Sequence, residues 1–113
     1  MKWSTNKIVE DLELLTSRET ETADSDGDHY CRDIYLMVGD DGIRISGFNL
    51  DGNFDPDDPE VDIEYVEVRT LNSDSAGGYP KRGSAEIKEL YTKVVEYFNG
   101  FKIEIVDNLK DYF

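Results

Sequence analysis

The sequence predicts one α+β domain over residues 1–113, with a mostly antiparallel four-stranded sheet covered on one face by two helices. Two segments, one near each end, repeat apolar residues at helical spacing, and the segments between and after them alternate apolar with polar residues. A chain of 113 residues supports one hydrophobic core rather than two. The predicted order of elements is α-β-β-β-α-β.

The first helix is predicted over residues 5–17, with Ser4 or Thr5 as its N-cap. Its buried stripe is expected to consist of Ile8, Val9, Leu12 and Leu15. Residues 19–28 are small, acidic or turn-forming, so we expect a loop there.

Two strands then form a predicted hairpin. Residues 30–38 place apolar side chains mostly at even positions, residues 43–48 resume an extended pattern, and Gly39 to Gly42 between them favour a turn. Residues 51–59 hold two prolines among turn-forming acids, so they cannot continue a central strand.

The apolar phase changes within residues 61–69, which predicts a single strand with a bulge near Tyr65 and Val66. Residues 72–83 are expected to form a loop, and Ser84 is expected to cap the second helix, which ends at Asn99 and Gly100. The last strand is predicted over residues 101–105. The apolar stripe of the second helix is Ile87, Leu90, Tyr91, Val94, Val95 and Phe98.

The net charge of −14 is concentrated in one part of the chain. Residues 19–68, here called the acidic block, hold sixteen acids against Arg32 and Arg44, whereas the remaining residues hold ten acids and ten bases. Because affinity for nucleic acid comes from Lys and Arg, this surface is not expected to bind nucleic acid directly. It is expected instead to bind a basic protein surface.

Mimicry of DNA is the sharpest form of this hypothesis. Alternate strand residues lie about 6.6 Å apart, close to the spacing of about 7 Å between successive phosphates of one DNA strand. Outward carboxylates at Asp62 and Glu64 can therefore take the places of phosphates. Proteins with this mechanism include anti-restriction, anti-CRISPR and nuclease-immunity proteins, and a phage origin is compatible with it.

The residues expected to contact the partner are the acids of the block that have no other predicted role, together with two aromatic anchors in acidic surroundings. They are Asp24, Asp26, Asp28, Tyr35, Asp40, Asp41, Phe54, Asp55, Asp57, Asp58, Glu60, Asp62, Glu64 and Glu67. No cofactor, metal or catalytic residue is predicted. The lone His29 has no serine or cysteine motif beside it, and Cys31 is interpreted as a small strand residue.

Two other interpretations remain open. The chain is a calcium-binding or structural adaptor if Asp24, Asp26 and Asp28, or Asp55, Asp57 and Asp58, ligate calcium, although neither run matches an EF-hand loop. It is a plain soluble domain if the acids only maintain solubility. One free cysteine and the lack of an apolar leader predict a cytoplasmic protein without membrane partners.

Overall fold

The structure is a computed structural model that describes residues 1–24, 31–39, 41–49, 60–70, 85–107 and 109. It confirms the predicted α+β class, with two helices and two sheets in the described residues. The elements are β1 (Lys2–Ser4), α1 (Thr5–Thr16), β2 (Thr20–Asp24), β3 (Cys31–Val38), β4 (Asp41–Phe48), β5 (Glu60–Asp62), β6 (Tyr65–Thr70), α2 (Ala85–Asn99) and β7 (Glu104–Asp107).

In the described part of the chain the main sheet has five strands rather than the predicted four, in the order β2-β3-β4-β6-β7. Neighbouring strands are antiparallel except for β6 and β7, which are parallel and are connected through α2. The hairpin of β3 and β4 is confirmed. Its second strand begins at Asp41, opposite Val38, and Gly39 adopts a positive φ of 61°, which glycine accommodates without steric cost.

The fifth strand is β2, and the prediction of a loop from residue 19 onward was wrong for Thr20–Asp24. This segment lacks alternating apolar residues, and it lies at one edge of the sheet. Its strand conformation comes from pairing with β3, in a register that places Thr20 opposite Leu36 and Thr22 opposite Ile34. Residues 25–30 lie outside the described part of the chain.

Residues 61–69 were predicted to form one bulged strand, and this prediction was also wrong. The change of apolar phase marks a break between β5 and β6, which belong to different sheets. Strand β5 pairs with β1, with Trp3 opposite Val61, in a separate two-stranded sheet. Ile63 lies in the break, where its N–H donates to Met1 O over 2.9 Å, and its side chain is buried.

Both helices and the small sheet share one core with a single face of the main sheet. That face presents Ile34, Leu36, Ile43, Ile45, Val66 and Val68, all of them buried. Trp3 packs over it with its ring nearly parallel to that of Phe98, at a centroid distance of 6.0 Å. The Trp3 ring also lies against Gly47, where an added Cβ atom would come within 2.8 Å of Trp3 Cε3. We call the opposite face, which carries Asp33, Tyr35, Arg44 and Ser46, the polar face.

The two helices are antiparallel, since Arg18 just after α1 pairs with Glu86 in the first turn of α2 over 3.3 Å. In α2 the residues Ile87, Leu90, Val94 and Phe98 are buried, as predicted. In α1 the buried residues are Ile8, Leu12 and Thr16, so Leu15 was wrongly assigned to the buried stripe. Ser4 is the N-cap residue, but its side chain makes no capping hydrogen bond.

The last strand starts later than predicted, at Glu104 instead of residue 101. Residues 100–102 form a turn in which Phe101 N donates to Phe98 O over 3.0 Å and Lys102 has a φ of 56°. This turn leaves Phe101 exposed. Neither described helix has the length and apolar character needed to cross a membrane.

Candidate partner-binding surface

Three acids of the block stand exposed along β5 and the break that follows it. In β5 the side chain of Val61 is buried, and the alternation of a strand therefore turns Glu60 and Asp62 outward. Glu64 is exposed as well, and its N–H donates to Phe48 O over 2.9 Å, which ties it to the end of β4. We call Glu60, Asp62 and Glu64 the β5 acids.

Asp62 has a cationic neighbour on β1. Lys2 Nζ lies 3.2 Å from Asp62 Oδ2, and the two side chains are 66% and 67% exposed. An ion pair this exposed contributes about 0–1 kcal/mol, because water and salt screen it. The pairing with Lys2 therefore holds the Asp62 carboxylate only weakly.

An aromatic pair lies beside Glu64 on the polar face. Phe48 ends β4, Tyr65 begins β6, and their rings stack with centroids 4.8 Å apart and planes 9° from parallel. Both residues are half-buried, and Glu64 directly precedes Tyr65. Because interfaces combine aromatic anchors with a charged rim, this stack suits the anchoring role that the sequence pattern had suggested for Tyr35 and Phe54.

The sequence pattern alone did not indicate this pair. Of the two predicted anchors, Phe54 lies outside the described residues and Tyr35 lies at the centre of the polar face. A signal for Phe48 was present: Ile43, Ile45 and Gly47 occupy one phase of β4, which sends Phe48 to the opposite face.

Tyr35 is engaged in a polar cluster at the centre of the polar face. The buried carboxylate of Asp33 accepts hydrogen bonds from Ser46 Oγ, from Arg44 Nη2 over 2.9 Å and from the Tyr35 hydroxyl over 3.4 Å. Arg44 also lies over the Tyr35 ring, 5.7 Å from its centroid. Burial raises the pKa of Tyr35, and the nearby charge of Asp33 adds to this increase.

The two cations of the acidic block are turned towards the protein. Arg32 is 4% exposed, on the helix-covered face, and the Arg44 side chain is bound to Asp33 and 21% exposed. Most of the positive charge of the block is thus withdrawn from solvent, whereas the β5 acids are exposed to it. Among the described residues of the block, the exposed charges of the β5 acids are therefore not offset by Arg32 or Arg44.

The other described acids of the predicted site lie elsewhere. Asp41 is at the opposite end of β4 from Phe48, about 24 Å away along an extended strand, and its Oδ1 accepts from Gly42 N over 2.8 Å. Glu67 is half-buried on the polar face, opposite Ser46. For Asp24 the structure describes only the backbone, within β2.

The rest of the predicted site lies outside the described residues, namely Asp26, Asp28, Asp40, Asp55, Asp57 and Asp58, besides Phe54. Both candidate calcium runs fall wholly or mostly in this part of the chain. Among the residues that are described, no three His, Cys, Asp or Glu side chains are grouped so as to hold a metal ion. His29 also lies outside the described residues, and Cys31 is described only by its backbone in β3.

Comparisons of the chain with protein-family models, with curated proteins and with solved structures give no significant match.

Proposed function

We propose that this protein is a non-enzymatic, cytoplasmic binding or inhibitor protein that engages a basic, nucleic-acid-binding surface of another protein as a mimic of DNA. Suitable partners are a nuclease, a restriction or CRISPR effector, or another DNA- or RNA-binding protein. The protein itself contacts neither nucleic acid nor membrane. A phage or immunity-protein origin fits this activity.

The observation that carries the proposal is the exposure of the β5 acids while Arg32 and Arg44 are turned inward. Glu60 and Asp62 leave β5 on the same side, about 6.6 Å apart, which is close to the phosphate spacing along a DNA strand. A basic groove shaped for a phosphate backbone would meet carboxylates at a similar interval. The stack of Phe48 and Tyr65 adds apolar area next to Glu64.

Charge of this density supports fast association more than high affinity. Complementary potentials raise association rates by about 10- to 1,000-fold at low salt. The Debye length falls from about 30 Å at 0.01 M salt to about 8 Å at 0.15 M, so the association rate should fall steeply over this range. An inhibitor that competes with DNA gains from reaching its target quickly.

The test begins with capture of basic proteins from a lysate of the native host on the immobilised protein, followed by elution with duplex DNA. For the captured partner, the triple variant Glu60→Gln, Asp62→Asn and Glu64→Gln should associate about tenfold more slowly at low salt. The fold should persist, because removing like charges relieves repulsion.

The matched control changes the net charge equally at three exposed helical acids, Glu10→Gln, Glu89→Gln and Glu96→Gln. We expect this control to associate nearly as fast as the wild type. If both triple variants slow association equally, the interaction depends only on general charge attraction. A complex that duplex DNA does not displace would refute mimicry.

A further inference from the structure

Strand β2 presents a hydrogen-bonding edge of the main sheet. Among the described strands it pairs with β3 alone, and β3 continues to β4 on its other side. Its five residues Thr20–Asp24 pair in unbroken register, with no proline or glycine in the strand. Edge strands usually carry such interruptions, or lysines, because an uninterrupted edge can pair with a further strand.

The register shows which backbone groups of β2 point outward. Met37 N donates to Glu19 O over 3.3 Å, so these two facing residues form a hydrogen-bonded pair. Hydrogen-bonded and non-hydrogen-bonded pairs alternate in an antiparallel ladder, which makes Glu21 the next residue bonded to β3. The N–H and C=O groups of Thr20 and Thr22 therefore point away from β3, towards the outer edge.

Carboxylates flank this edge on both faces of the sheet. Glu21 is exposed and lies opposite Tyr35, on the polar face. On the helix-covered face, Glu13 Oε1 of α1 accepts a hydrogen bond from Thr20 Oγ1 over 3.0 Å. Glu19 lies just before the strand, and residues 19–24 contain no cation.

These charges determine which kind of strand can pair with the β2 edge. Side chains of an added strand lie beside those of β2, where opposite charges stabilise the pair and like charges destabilise it. A second copy of this chain would bring its own Glu19, Glu21 and Asp24 against the same residues. A strand with Lys or Arg at alternate positions would meet carboxylates instead.

From these features we infer that the β2 edge binds an extended basic segment of the partner protein, which adds to the main sheet as a further strand. This inference rests on the proposed function only in giving the partner a positive charge. Backbone hydrogen bonds to Thr20 and Thr22 would supply register, and Glu19 and Glu21, which share the polar face, would select cationic side chains at alternate positions of the segment.

The experiment uses the full chain and a synthetic peptide of about seven residues, long enough at about 3.3 Å per residue to cover β2. The peptide has blocked ends, Lys at alternate positions and Thr or Val between them. At saturation the Thr20 and Thr22 amides should exchange with solvent about tenfold more slowly, as newly bonded amides do. The NMR signals of the β5 acids should be the same with and without the bound peptide.

The variant Thr22→Pro removes an outward N–H without removing a bond to β3, and it should weaken peptide binding about tenfold. Thr22→Ala, which keeps the N–H, is the matched control and should bind like the wild type. A second experiment uses the unchanged protein with a peptide in which alternate backbone nitrogens are methylated. This experiment decides the matter if the proline variant does not fold, because the methylated peptide keeps its charge but loses its donors.

Equal affinity of methylated and unmethylated peptides, absence of peptide binding, or a dimer of this chain that Thr22→Pro disrupts would each overturn the inference. None of these outcomes bears on the proposed function, whose test is substitution of the β5 acids. Conversely, the peptide could bind at β2 while substitution of the β5 acids leaves association with the partner unchanged. That result would support the inference about the β2 edge and refute the proposal of DNA mimicry.

Discussion

Tyr97 in the last turn of α2 donates a hydrogen bond from its hydroxyl to Asp11 Oδ2 of α1, over 2.7 Å. Together with the pair of Arg18 and Glu86 at the other end, this bond fastens the two helices to each other. It also affects both titrations. The Tyr97 hydroxyl lowers the pKa of Asp11 below 3.8, and burial, followed by the bond to Asp11, raises the pKa of Tyr97.

Replacing Tyr97 with Phe should therefore destabilise the protein at neutral pH and make less difference in acid. A lowered carboxyl pKa stabilises the folded state above the unfolded value of 3.8, and this contribution is lost as the pH falls through the folded value. Urea unfolding of both proteins across this range measures it. If the difference between the urea midpoints of the wild type and the variant stays constant as the pH falls, the Tyr97 hydroxyl does not affect the pKa of Asp11.

Tyr91 gives the opposite dependence at alkaline pH. Burial, aided by its hydrogen bond to Asp107, raises the pKa of Tyr91 to about 12. A raised tyrosine pKa stabilises the folded state below the unfolded value of about 10, and this contribution disappears as the pH rises through the folded value. The Tyr91→Phe variant should accordingly be less stable than the wild type at neutral pH. The difference in their free energies of unfolding should decrease as the pH rises above about 10. The difference in tyrosinate absorbance between wild type and variant identifies this group among the seven tyrosines.

Leu90→Ala should cost about 2–5 kcal/mol, because Leu90 is buried in the shared core and its loss leaves a cavity. Leu14→Ala is the matched control, since Leu14 is also helical but 77% exposed, and it should change stability by less than about 0.5 kcal/mol. Both are measured by denaturant unfolding. Similar values for the two variants would mean that α2 does not pack as described.

Gly47→Ala should cost about 1–3 kcal/mol, because the new methyl group would lie 2.8 Å from Trp3 Cε3 and overlap the Trp3 ring. The double variant with Trp3→Phe should recover part of this loss, since a smaller ring leaves room for the methyl group. Additive costs in the double-mutant cycle would exclude the steric explanation.

Asp33→Asn should cost about 1–3 kcal/mol, because it removes the buried carboxylate charge to which Arg44 donates. The larger cost typical of a fully buried pair is not expected, since Arg44 keeps a side-chain exposure of 21%. The exposed pair of Lys2 and Asp62 serves as the control, with Asp62→Asn changing stability by about 1 kcal/mol at most. A smaller effect at Asp33 than at Asp62 would contradict the polar cluster.

The sequence predicted the elements whose own residues determine them. The stripe of α2 and the hairpin of β3 and β4 follow from local periodicity and a glycine turn. Strands β1 and β2 were missed, because three and five largely polar residues carry no pattern and become strands only through partners that lie elsewhere. The break after β5 was mistaken for a bulge for the same reason, since β5 pairs with β1, which lies far away in the sequence.

For the candidate surface, the sequence predicted the sign of the charge and the outward acids of β5. It did not predict the stack of Phe48 and Tyr65, which depends on the register between β4 and β6. Asp33 was not among the predicted contact residues, but the sequence did not indicate what its carboxylate binds. Only the positions of Ser46 and Arg44 on the neighbouring strand show that this carboxylate is used internally.

The pairing of β1 with β5 also bears on the order of folding. Lys2 and Asp62 are 60 residues apart in the chain, whereas β3 ends at Val38 and β4 begins opposite it at Asp41. Closing a long loop costs entropy before any contact compensates for it, so the hairpin should nucleate folding and the small sheet should form after the transition state. Variants at Val61 should then accelerate unfolding and leave the refolding rate unchanged, whereas variants at Ile45 should slow refolding.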